Sequence, residues 1–199
     1  MRWAKSHRPS ILTWCEMATG KPRFYWDTCP LIAWITNEKR DDPSEMDGLA
    51  EVVEMVERGA AVLITSVLWR AEVLDLNLSK PQRKRLEETF DGRSFIELSI
   101  DGRILDLASE IRTLQRLSKK KDVLKNVRTP DAIHLATAIQ YEATEFHTFD
   151  GKRSGNNPGG LLTLDGNVAG HRLKICVPHA NQLRLTFPAQ QDQSENPGE

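Results

Sequence analysis

One stretch of this chain, AAVLIT at residues 60–65, is apolar without a break. A strand with one wet face alternates apolar and polar residues. An unbroken apolar run of this length belongs instead to a strand covered on both faces. Such cover needs helices on either side, and the flanking residues supply them. Before the run, Met46, Leu49, Val52, Val53 and Val56 recur at three and four residues, with Glu51, Glu54 and Glu57 opposite and Gly59 at the end. After it, Ser66 can cap a helix that carries Glu72.

The rest of the chain repeats this alternation. RFYWD (23–27) reads as an aromatic strand leading into a helix over 28–36, where Pro30 is tolerated in the first turn. Ser79 caps a helix that opens Lys80–Pro81 and carries Arg83, Lys84 and Arg85, and SFIELS is a third strand. A long helix over 102–117 is expected to bury Ile104, Leu107, Ala108, Ile111 and Leu114. Thr129 caps a helix with Pro130 at its first position and Asp131 in its first turn. Residues 144–149 and RLKICV (172–177) are the fourth and fifth strands, joined by a Gly- and Asn-rich segment, 151–171, that reads as mobile. Strands separated by helices predict an α/β protein built on a parallel sheet.

Bulk properties bound the rest. At 199 residues and 39% apolar content, the chain holds one hydrophobic core, assigned to a domain over 23–187. Residues 1–22 show no periodicity and read as an extension that is disordered or non-native, with Met17 the expected natural start; 188–199 read as a disordered tail. A formal net charge of -1 excludes a generic basic nucleic-acid binder, though not a nuclease whose site carboxylates subtract from the count. Cys15, Cys29 and Cys176 have neither zinc nor disulfide-framework spacing, which points to a reducing cytoplasm. No apolar stretch approaches the length of a membrane span.

Against that frame, four acids stand where one element gives way to the next: Asp27, Glu72, Asp131 and Asp150. Ligand sites of open parallel sheets form beyond the carboxyl ends of the strands. Asp27 and Asp150 end strands there, and Asp131 begins the helix that leads to the fourth strand. Thr148, two residues before Asp150, projects to the same side. Glu72 lies six residues after Ser66, roughly 9 Å down its helix, so that helix must lean across the site. Singly, each acid has an ordinary role open to it: Asp27 a helix cap, Asp131 a partner for the helix dipole, Asp150 a turn former, Glu72 a solvent-facing glutamate. Together, gathered carboxylates repel unless cations neutralise them, and hard oxygen ligands favour Mg²⁺ or Mn²⁺. Two such ions would stabilise attacking and leaving oxygens in phosphodiester hydrolysis.

The segments YWDTCPLIAWI, TSVLWRAEV, TPDAIHLATAI and FHTFDGK resemble successive motifs of the PIN-domain ribonucleases, in particular the VapC-like toxins of type II toxin–antitoxin systems. The resemblance spans about residues 23–177, and DAIHLATA followed by a strand ending in TFD is its most specific part. It implies a PIN-like three-layer fold with a five-stranded parallel sheet of order 3-2-1-4-5. It also implies Mg²⁺- or Mn²⁺-dependent endoribonuclease activity, a cognate antitoxin and a homodimer. On this likeness Asp27, Glu72, Asp131 and Asp150 are catalytic metal ligands, with Thr28, Ser66 and Thr148 as supporting hydroxyls. The chain departs from the pattern at Cys29, where many members have Asn, and in the length of the 151–171 segment.

Other residues are read more plainly. His134, amid apolar neighbours, reads as a structural histidine, with a proton relay as the minority reading; His147, His171 and His179 share no ligand spacing. Lys119, Lys120, Lys121, Lys125 and Arg128 are a weak candidate for RNA phosphate contact, since such runs are commonly solvated faces. Trp26, Trp34 and Trp69 are assigned to core or oligomer contacts rather than base stacking. Two competing functions remain: a phosphoacceptor signalling domain, which lacks its Lys after the fifth strand, and a catalytically weak PIN-like module that binds RNA or protein.

Overall fold

The computed structural model describes residues 20–73, 77–91, 95–117, 127–151 and 159–178. Residues 1–19 of the expected extension 1–22, the tail at 188–199, and Lys119, Lys120, Lys121, Lys125 and His179 lie outside the described residues. Five strands form the sheet: β1 (Arg23–Trp26), β2 (Val62–Ser66), β3 (Phe95–Leu98), β4 (Glu145–His147) and β5 (Ile175–Cys176). They pair in the order β3-β2-β1-β4-β5, every pair parallel, as expected. The helices are α1 (Thr28–Thr36), α2 (Pro43–Glu57), α3 (Trp69–Val73), α4 (Lys80–Asp91), α5 (Gly102–Leu117) and α6 (Thr129–Gln140), with one 3₁₀ turn at Leu161–Leu164.

Strand alternation divides the core in two. Tyr25, Ile64 and Phe146 face α5 and α6, meeting Ile104, Ala108, Ile111, Leu135 and Ala136. Phe24, Trp26 and Leu63 face the other way, onto Leu31, Leu49, Val52 and Trp69 of the helices α1 to α3. Every residue of β2 is buried, as its apolar run requires. Trp26 and Trp69 belong to this core, whereas Trp34 is partly buried beneath the Arg85 guanidinium, 4.1 Å from its ring centre.

Local signals set the helix ends. Asp27 caps α1 by accepting from the Cys29 N–H at 2.8 Å, and Asp42 caps α2 through the Ser44 N–H at 3.0 Å with Pro43 next to it. Gly59, at φ +70°, follows the end of α2. Three expectations change. Thr129 is the first residue of α6 rather than its cap; Arg128 holds the cap position, and its N–H is taken by Asp131 one turn in, at 3.2 Å. Leu114 is exposed, not buried, and Leu117 is more exposed still, so the apolar face of α5 is covered over Ile104, Ala108 and Ile111 but not in its last turns. The described part of the glycine-rich segment is packed rather than loose: Leu161, Leu164 and Val168 enter the core beside Leu173 and Ile175.

Candidate active site

Asp27 leaves the end of β1 and turns straight into α1, so its carboxylate is held from below by the helix it caps. It is buried, at 5% exposure. Burial pushes its carboxyl from 3.8 up to about 7; the Thr148 hydroxyl, the His134 imidazole and the Cys29 N–H pull down, and the Asp131 charge adds to the rise. A carboxylate left this short of positive charge is a place where a cation would be welcome.

The lean that Glu72 needs has a structural cause. Helix α3 is only five residues long, and its first two side chains are pinned sideways to β3. Trp69 Nε1 donates to Glu97 Oε1 at 3.0 Å, and Arg70 grips both oxygens of the same carboxylate, with Nη2 2.8 Å from Oε2. Glu72 then faces α1 and α6, where Thr28 Oγ1 and His134 Nε2, the latter at 3.0 Å, both meet its Oε2. Burial raises the Glu72 carboxyl, but these two partners outweigh it and leave it below its ordinary value. Ser66 touches the site only indirectly: its hydroxyl accepts from the Leu68 N–H at 3.1 Å, shaping the turn into α3.

Asp131 stands in the first turn of α6, its carboxylate on the Arg128 N–H, and Arg128 itself is exposed beside it. Asp150 follows β4; its N–H donates to Thr148 Oγ1 at 2.9 Å, and its carbonyl accepts from Leu162 N–H at 3.1 Å. The 3₁₀ turn therefore folds back onto Asp150. A methyl group on Gly160 would lie 2.3 Å from Asp150 Oδ1, so only glycine permits this approach. The fields of all four acids meet at Cys29. Burial first, then the charges of Asp27, Asp150, Glu72 and Asp131, push its thiol up to about 12, although one edge of it is exposed.

His134, read from the sequence as a structural histidine, is buried, and it also lies against both Glu72 and Tyr25, whose hydroxyl is 2.7 Å from Nδ1. Its position three residues after Asp131, on the same helical face, was the available signal. Gly160 had no readable signal beyond lying in a Gly-Gly pair.

His147 does have company that its spacing hid. Its Nε2, Glu145 and Cys176 Sγ lie within 4.8 Å of one another, and among the described residues they form a three-donor group. Its chemistry argues against a metal. Trp26 Nε1–H donates to His147 Nδ1 at 3.2 Å, which leaves the imidazole hydrogen on Nε2, donated to Glu145 at 3.0 Å. A metal on Nε2 would drive that hydrogen to Nδ1, against the indole N–H. Lys174 Nζ, 2.6 Å from Glu145, already neutralises the acid. The carboxylates around Asp27 fit a divalent cation better, since they offer hard oxygens, an under-neutralised Asp27, and in Glu72 an Oε1 that takes no hydrogen bond from the described residues.

A family model described as PIN domain matches residues 24–153. No curated protein matches the chain in sequence. Among solved structures, it is similar to the VapBC2 of Rickettsia felis bound to a DNA fragment from its promoter. The identity is 15% and the TM-score 0.46, over 63% of this chain and 86% of the matched one.

Proposed function

Since the chain belongs to the PIN domain family, we propose that it is an endoribonuclease whose Asp27, Glu72, Asp131 and Asp150 hold Mg²⁺ or Mn²⁺. What supports the reading is that Asp27 is buried at the end of β1 with its carboxyl pushed up to about 7, and that the charges of all four acids act on the adjacent Cys29 thiol. Asp27, Glu72, Asp131 and Asp150 would hold the cation, which would supply positive charge to polarise a phosphodiester and ease proton loss from water.

The chain's own part is to aim the ligands. Asp27 is fixed by its capping bond and by Thr148; Glu72 is fixed through Oε2; Asp131 is turned by the Arg128 N–H; Asp150 is backed by Gly160. The exposed Arg128 beside Asp131 would take an RNA phosphate, together with Lys119, Lys120, Lys121 and Lys125 of the preceding basic run. Opposite-charge substitutions at Lys120 and Lys125 should weaken RNA binding and flatten its salt dependence.

The motif resemblance assigns the toxin role, with a cognate antitoxin as inhibitor and a homodimer as the working form. Expression should slow growth, and co-expression of a small partner from a neighbouring reading frame should relieve it. The test of the enzyme is Asp27→Asn, which should end Mn²⁺-dependent RNA cleavage and growth inhibition while the fold persists; retained cleavage defeats the assignment. Cys29 supports a second reading, because a thiol stands where the resemblance leads one to expect an amide. On that reading the domain binds RNA or protein with little turnover. A panel of RNAs incubated with Mn²⁺ separates the two.

A further inference from the structure

We propose that His134 is a positioning residue that presents Glu72 to the cation, an inference that rests on the nuclease reading above. Glu72 stands on a helix of a single turn, and such a helix has little stability of its own. Its long side chain has several rotamers to choose among. Something outside α3 must select one of them, and the buried imidazole of α6 is placed to do so.

The hydrogen between His134 and Glu72 is assigned from chemistry alone. A carboxylate only accepts, so the His134 Nε2 that lies 3.0 Å from Glu72 Oε2 carries the hydrogen. Its other ring nitrogen, Nδ1, lies 2.7 Å from the Tyr25 hydroxyl, so the ring is held at both ends. The Tyr25 oxygen in turn accepts the Ser66 N–H at 3.1 Å. A hydrogen-bonded chain thus runs from the end of β2 through β1 and α6 to Glu72. Tyr25 and His134 are both buried, so neither swings freely to water.

The consequence is a division of labour between the two Glu72 oxygens. Oε2 takes both the imidazole N–H and the Thr28 hydroxyl. Oε1 takes neither and is left for the cation. Partners that stand behind metal ligands in this way typically alter affinity by about 10–100-fold when removed.

The experiment is Mn²⁺ binding to the full chain, followed by calorimetry and by the loss of the free-ion paramagnetic resonance signal. His134→Phe should weaken binding by about 10-fold or more, while His134→Gln, whose amide N–H occupies the place of Nε2–H, should stay within about 3-fold of the wild type. In a Glu72→Gln background, His134→Phe should add nothing further, because its effect passes through that carboxylate. Tyr25→Phe keeps the packing and removes one hydroxyl, so it decides the matter should His134→Phe fail to fold. It should weaken Mn²⁺ several-fold.

Undiminished affinity in His134→Phe, equal losses in Phe and Gln, or a full His134→Phe effect without Glu72 would each overturn the role. So would unchanged affinity in Tyr25→Phe if that variant has to decide. Wild-type protein that binds no Mn²⁺ dependent on Asp27 would instead bring down the nuclease reading and this role with it.

Discussion

The two faces of the sheet each bury a carboxylate beside a histidine, and they resolve the problem of charge in opposite ways. On the face of α1 to α3, Glu145 has a cation of its own. Lys174 reaches it from β5's approach, His147 donates to it, and its carboxyl is held at about 2 despite burial. Burial also lowers the His147 pKa, so the imidazole is neutral near pH 7, and the charge on this face comes from Lys174. On the face of α5 and α6, Asp27 has no such lysine among the described residues; it has the Thr148 hydroxyl, the Cys29 amide and the His134 imidazole nearby, and its carboxyl is pushed up to about 7. The same sheet therefore holds one network neutralised by its own lysine and one that, on the proposed function, would be completed by a cation. Buried acid is common to both, and only the missing lysine separates structure from chemistry.

The sharpest way to break this contrast is Asp27→Asn. Cleavage should fall by about 10³-fold or more, because a lost cation removes several kcal/mol of charge stabilisation. Metal-free stability should move the other way. The folded pKa of Asp27 lies above its unfolded value, so its contribution is fully present below pH 3.8 and is lost as pH rises through about 7. Above pH 7 the ionised acid costs the fold roughly 4 kcal/mol as an upper bound, which Asn relieves. Urea unfolding in EDTA at pH 5 and pH 8 reads this directly. A variant no more stable than wild type at pH 8 would show that Asp27 is already neutralised from within, and the contrast would vanish.

Gly160→Ala comes next and tests aim rather than charge. The added methyl must displace the Asp150 carboxylate, and a misplacement of about 1 Å in such a site costs on the order of 10²-fold in rate. Stability should fall too, because the methyl also meets the Asp150 carbonyl carbon at 2.7 Å and the backbone must shift; the loss of rate should exceed the loss of folded protein. Equal activity in the variant would mean that Asp150 has no required position.

The closed network gives the smaller, purely structural effect. Lys174→Met should cost about 1–2 kcal/mol at pH 7, less than a fully buried pair because the lysine is half-exposed. Its acid response has the opposite sign to that of Asp27. His147 is lowered below its unfolded 6.5 and Glu145 below 4.5, so their stabilisation is present above those values and is lost as pH falls past each, for Glu145 down to about 2. Unfolding curves from pH 7 to 3 should show this loss shrinking in Lys174→Met. RNA cleavage at pH 7 should be unaltered, because the network points away from the acids.

How much of this could be read from residues alone follows from what fixes each side chain. Asp27, Asp131 and Asp150 occupy strand ends and a helix start, and those positions follow from the alternation of elements. Glu72 could not be placed that way, because its direction is set by Glu97 gripping Trp69 and Arg70 from a strand about twenty-five residues later in the chain. Leu114 failed for a related reason: periodicity names the apolar face of α5 but not where its cover stops. Over 159–171 the glycine-rich segment departs from what its composition suggests, and the spacing of Leu161, Leu164 and Val168 is the signal for a packed turn. Pairwise tertiary contacts, not local propensity, separate the two outcomes.

Cys176→Ser is the finest probe of the comparison. The thiol lies 3.5 Å from Glu145 Oε2, and burial followed by the Glu145 charge pushes it up to about 12, so it is a neutral S–H donor at any working pH. A serine hydroxyl donates in its place, and the change in stability should stay within about 1 kcal/mol. More telling is the metal content of the purified chain, measured by plasma mass spectrometry in wild type and variant. If the closed network is complete without a metal, both contain equal traces, and only Asp27→Asn alters Mn²⁺ uptake. Stoichiometric zinc that disappears with Cys176→Ser would mean that His147 gives up its Trp26 bond for a metal. The face with its own lysine would then be a second cation site, and the lysine would no longer be what distinguishes the two.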